Sequence, residues 1–165
     1  MTKLTSAERN ALAQIETIED PARLRNLIEN ARRQKSHVVE AAAFQRLCFV
    51  QPEATPGTIE HDVWQSIHAL EEMLLEERGR TTRLSRTRQK IARHGEAKTA
   101  SDLTMKADAS AGFRDLLARG HPELTFEAIV LKHPKTFDEE VQEAAEARLR
   151  DAGVDTSKFT EAAGG

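Results

Sequence analysis

Tyrosine is absent from the 165 residues, tryptophan and cysteine occur once each, and there are only eight glycines and five prolines. A single cysteine excludes a disulfide framework within the chain and any multi-cysteine zinc site. No segment approaches the roughly 20 apolar residues of a membrane span. Leu, Ile, Val and Phe together supply 35 residues, only just above the roughly 20% below which chains tend to stay disordered, so the core must be thin. Gly-rich phosphate loops, GxGxxG and GxSxG are missing, which removes the common nucleotide-binding and acyl-transfer enzymes. The start of the chain, MTKLTSAERNALAQ, has no apolar signal region, and the expected location is the cytoplasm.

What remains is a helix-former's composition: Ala, Leu, Glu and Arg make up 74 residues. The expected fold is all-α, with about eight or nine helices in an N-terminal bundle (1–78), a basic helix and connector (79–98), a smaller C-terminal lobe (99–153) and a flexible tail (154–165). Thr5 with Glu8 has capping-box spacing, and Asp20-Pro21 is an N-cap followed by proline at the first helical position. Ser36 opens a helix that is apolar on most faces through Val38, Val39, Ala43, Leu47 and Cys48. QPEATPG at 51–57 is a loop. Thr58 opens the longest helix, to about Arg78, with Val63, Trp64, Ile67, Leu70 and Leu74 at helical spacing. A basic helix follows from about Thr82 to Arg93, then a turn at 101–106 and helices at about 110–119, 122–132 and 138–151. The segment from Asp20 to Leu47 has the look of one helical-repeat hairpin, but one unit does not make an array.

The net charge of −3 conceals a segregation. Residues 1–77 carry a net −5, residues 78–98 a net +7 and residues 99–165 a net −5. The basic centre, RGRTTRLSRTRQKIARHGEAK, holds six arginines to two lysines, which suits bidentate contact with phosphate. Arg83, Arg86, Lys90 and Arg93 fall within about an 80° arc of a helix, with Leu84 and Ile91 on an adjoining face to dock it. The backbone amides of Thr82–Leu84 would add an anion site at the helix start. Arg80, Arg83, Arg86, Arg88, Lys90, Arg93 and Lys98 are therefore the candidate contacts to a nucleic-acid backbone, DNA ahead of RNA, in a regulatory or accessory protein.

Two readings compete with this one. The basic row could instead pair with acidic helices of the same chain, such as Glu71, Glu72, Glu76 and Glu77 or the run from Asp138 to Glu146, or dock on an acidic protein partner as a scaffold or homo-oligomer. It could simply be a solvated face. A helix-turn-helix over 86–105, with Gly95 in the turn and a reading helix at Ser101, fits poorly because Asp102 would face the groove.

An enzymatic reading has little support, and no cofactor is implied. His61, Gln65, His68 and Glu72 form one stripe, yet His61 and His68 lie two turns, about 10.5 Å, apart along the axis. That is too far for one ion, so no metal site is assigned and His68 with Glu72 is left as a polar stripe. Cys48 sits among apolar residues as an inert core thiol. His37, His94, His121 and His133 fall at helix ends, where imidazoles serve as caps and turns. The segment 122–132 is apolar nearly all round, marking it as central to its lobe or as a partner groove.

Overall fold

A computed structural model of the chain describes residues 3–164, with side chains to Glu161. Among these residues it is all-helical, with ten α-helices, one 3-10 turn and no strand. They form two compact units that divide between Glu53 and Ala54.

The first unit is three helices: α1 (Ser6–Ile15), α2 (Pro21–Arg33) and α3 (His37–Val50). Both capping devices at its N-terminal end form as the spacing predicts. Thr5 and Glu8 make the reciprocal capping box, and the Asp20 carboxylate accepts from the Ala22 N–H at 3.0 Å. Ser36 does not cap α3 with its side chain; its hydroxyl instead donates to Glu8 at 2.6 Å, tying the start of α1 to the start of α3. Leu24, Ile28 and Ala31 of α2 meet Val39, Ala43, Phe44, Leu47 and Cys48 of α3 in the buried interior. Val38 turns outward and is 40% exposed. The turn between α2 and α3 is a Schellman motif: the Ser36 N–H bonds Ala31 O and the Lys35 N–H bonds Arg32 O, with Lys35 at φ 57°.

The second unit contains α4 (Ile59–Arg78), α5 (Ser85–His94), α6 (Glu96–Thr104), α7 (Ala111–Ala118), the 3-10 turn Pro122–Leu124, α8 (Phe126–Lys132), α9 (Glu139–Asp151) and α10 (Ser157–Gly164). Its core gathers Val63 and Ile67 of α4, Ile91 of α5, Ala100 of α6, Phe113 of α7, Ala128 to Leu131 of α8 and Leu149 of α9. The division between units falls in the proline-containing loop near residue 53, and α4 contributes to the same apolar cluster as the helices that follow it. The helix α8 is central, as its all-round apolarity predicts, and packs against α4, α6, α9 and α10.

Three local features differ from the expected elements. Residues 96–104 are a full helix, because one glycine, Gly95 at φ 88°, is enough to turn the chain between α5 and α6. The segment from Pro122 is broken at Thr125, whose hydroxyl accepts from the Ala128 N–H and starts α8 afresh. Residues 157–164, expected within a frayed tail, form α10, anchored by Phe159 at 2% exposure in the second unit's core. No helix among the described residues is long and apolar enough to cross a membrane.

Candidate nucleic-acid interface

The basic segment sits on a rigid mount. The helix α4 ends at Gly79, in the left-handed conformation at φ 71°, and the chain returns through residues 80–84 to start α5 at Ser85. Leu84 and Ile91 pack into the unit's core, so the docking face of α5 is the one the sequence predicts. Of the amides expected to receive an anion at the helix start, the Leu84 N–H is already engaged: it donates to Glu71 Oε2 at 2.9 Å.

Glu71 does more than cap. Arg88 donates Nε to Oε2 and a terminal nitrogen to Oε1, each at 2.7 Å, a bidentate pair. The Arg88 guanidinium also lies 5.1 Å from the centroid of the Trp64 ring. Burial would push the Glu71 carboxyl up, but the Arg88 pair and the Leu84 amide outweigh it and hold it below the usual carboxylate range. The same pair raises the Arg88 guanidinium further. Arg88 is thus a structural cation, neutralised within the chain.

Lys90 and Lys98 share a second carboxylate. Asp102, on α6, lies 3.1 Å from Lys90 and 3.0 Å from Lys98, and their hydrogen bonds hold its carboxyl below its ordinary value. The residue that weighed against a reading helix is a countercharge. The rest of α6 is equally unsuited to entering a groove, since Thr99, Ala100 and Thr104 are buried.

Arg80, Arg83, Arg86 and Arg93 are exposed, and among the described residues none of their side chains forms a hydrogen bond or ion pair. Arg86 and Arg93 are seven residues apart on α5, about 10.5 Å along its axis and nearly in line. Arg80 and Arg83 continue the basic edge in the preceding turn. The seven expected cations therefore separate into three held by Glu71 and Asp102 and four presented to solvent. Among the described residues, Asp138 to Glu146, the other acidic run considered as a partner, forms no side-chain bond to α5; Glu76 pairs with Arg119 at 3.0 Å instead.

His68 is half-buried, its ring centroid 6.5 Å from that of Trp64. Burial pushes its imidazole below the ordinary value, with Arg88 and Arg83 acting in the same direction and Glu71 and Glu72 opposing. His61 and Glu72 are buried, and no group of three or more His, Cys, Asp or Glu among the described residues is placed to hold a metal ion. Cys48 is buried in α3. His133 bonds Asp62 at 2.7 Å, joining the end of α8 to the first turn of α4, and His121 faces Glu123 at 3.6 Å. Helical spacing placed Arg88 correctly on its helix, but the identity of its partner depends on how α5 folds back on α4, which spacing does not encode. No family model matches the chain, and no curated protein or solved structure matches it.

Proposed function

We propose that the chain binds nucleic acid, duplex DNA ahead of RNA, through phosphate contacts from Arg80, Arg83, Arg86 and Arg93. The observation that carries this reading is the contrast within one segment: Arg88, Lys90 and Lys98 are matched by carboxylates, whereas four neighbouring arginines stand exposed without one. A guanidinium is a planar, pre-organised fork that loses little side-chain freedom per bond to a phosphate oxygen. Single-stranded RNA is usually gripped by stacking bases on exposed aromatics. Segment 78–98 has no Phe, Tyr or Trp, and the one tryptophan is overlaid by Arg88, so backbone recognition of a duplex is the better fit. With no reading helix free, the binding is expected to be weakly dependent on sequence.

Fluorescence anisotropy of a labelled duplex, titrated at several salt concentrations, tests the proposal. Four phosphate contacts predict a slope of log K against log salt of about −3.6. In Arg83→Ala/Arg86→Ala/Arg93→Ala it should fall to about −0.9, one contact remaining, while the melting temperature stays unchanged because these side chains hold nothing in the fold. Absence of binding at about 50 mM salt, or an unaltered slope in the triple variant, overturns it.

A further inference from the structure

The second unit carries a half-open cavity of about 820 Å³ between α4, α5 and α7. Two contacts fix its walls. A Cβ on Gly112 would lie 2.9 Å from Leu70 Cδ1, so the start of α7 is close against the middle of α4, and Arg119 meets Glu76 at 3.0 Å near the ends of both helices. The contacts advance in the same chain direction, so α7 runs roughly parallel to the second half of α4. The α7 wall is built from small residues, Ala111, Gly112 and Ala118, while Ile67, Leu74 and Phe126 line the apolar interior. Gly112 closes the space at one end against Leu70, while Ala111 and Ala118 face Ile67, Leu74 and Phe126 across a gap that the chain's own side chains do not fill.

The charge of the rim selects what could fill it. Three carboxylates, Glu76, Glu77 and Asp115, and two guanidiniums, Arg78 and Arg119, line the cavity. Arg119 is engaged by Glu76, and among the described residues Glu77, Asp115 and Arg78 form no ion pair, so the rim keeps an excess of negative charge, Glu77 and Asp115 against Arg78. Parallel packing also brings the carbonyl ends of α4 and α7 to the same end of the cavity, where helix dipoles favour a positive charge. The size is that of a small-molecule site, with an apolar lining and a few polar groups at the edge.

We infer that this cavity is a binding site for a small hydrophobic cation, its apolar body between Leu74 and the alanines of α7 and its charge toward Asp115 and Glu77. The site uses none of Arg80, Arg83, Arg86 and Arg93, so it stands or falls independently of nucleic-acid binding.

Isothermal titration of the full chain with tetraphenylphosphonium, and with tetraphenylborate as an anion of the same shape, tests the inference. Saturable one-to-one binding of the cation is expected, with the anion at least about tenfold weaker, a difference of about 1.4 kcal/mol. Ala118→Trp fills the cavity from an exposed position and should weaken the cation at least about tenfold; Ala111→Leu does the same with a smaller side chain should the tryptophan disturb folding. Glu77→Gln/Asp115→Asn should narrow the gap between cation and anion. No saturable binding of the cation, equal binding of the anion, or unaltered affinity in folded Ala118→Trp and Ala111→Leu would overturn it.

Discussion

Glu71 holds Arg88 through two parallel hydrogen bonds of 2.7 Å and is the carboxylate that fixes where α5 begins. Both side chains are mostly buried, at 25% exposure for Arg88 and 13% for Glu71. Removing one partner therefore strands the other rather than releasing it to water. Glu71→Ala also frees the Leu84 N–H and should cost about 2–3 kcal/mol in urea denaturation; Arg88→Ala should cost about 1–2 kcal/mol, because Glu71 keeps the amide. The sign with pH follows from the lowered carboxyl. Its contribution is complete above the unfolded value of about 4.3 and is lost as pH falls through the folded value. Glu71→Gln should flatten that part of the acid limb.

His68 titrates with the opposite chemistry but loses stability in the same direction. Burial lowers its folded pKa, so the unfolded chain takes up the proton first. The folded state is fully favoured above the unfolded value of about 6.5 and loses ground as pH falls from there toward the folded value. His68→Gln should remove this slope from melting temperatures measured across that window. Arg83 adds to the depression, and Arg83→Ala should move the imidazole back toward its ordinary value in an NMR titration.

Local chemistry was legible in the sequence wherever one segment carried both halves of an interaction. Thr5 and Glu8, Asp20 with Pro21, Thr58 and Gly79 all act at the positions their spacing predicts. Leu84 and Ile91 mark the docking face of α5 for the same reason. What spacing could not supply was the partner across a fold. Glu71 is 17 residues from Arg88, and Glu76 is 43 from Arg119; each had several rivals of the same charge nearby. The cavity beside Leu70 and Gly112 was illegible because it is a mismatch in size between two helices, and the apolar stripe of α4 reads as filled core in either case. The fate of α10 depends on a single phenylalanine, too little periodicity to distinguish a docked helix from a tail.

Lys35 occupies the position of the Schellman turn that glycine usually takes, at φ 57°. An L side chain there crowds its own backbone, and the geometry is retained only because α2 and α3 fix both ends. Lys35→Gly should therefore stabilise the first unit by about 0.5–1 kcal/mol, part of the gain being offset by the freer unfolded chain. The check is a rise in the urea midpoint at an unchanged m-value.

Arg148 joins three elements of the second unit. It donates to Glu127 at 2.9 Å, to Leu103 O and to Lys106 O, tying α9 to α8 and to the end of α6. Glu127 is 5% exposed, and burial raises its carboxyl despite the arginine. Arg148→Ala would leave a buried carboxylate and two carbonyls without their donor, at a cost of about 3–5 kcal/mol. Glu127→Gln keeps an acceptor for Arg148 and relieves the buried charge, so its cost should be about 1 kcal/mol. Urea midpoints of the two variants should differ accordingly, the arginine being the more sensitive position.

Phe159 decides whether the end of the chain belongs to the fold. It is 2% exposed, packs in the cluster that includes Leu131 and Leu149, and has the Lys132 and Lys158 ammonium groups 5.8 and 5.1 Å from its ring centroid. Lys132 is itself pushed below its ordinary value by burial, and it donates to Glu123 O at 3.1 Å. The ring therefore covers both the apolar end of α8 and a lysine that would otherwise face water. Phe159→Ala should cost about 3 kcal/mol, as for other large-to-small changes in a closed core, and return the Lys132 ammonium toward its ordinary value. Phe159→Leu keeps most of the apolar volume and should cost less than half as much. If α10 were an undocked tail, both variants would unfold at the same urea concentration as the parent chain.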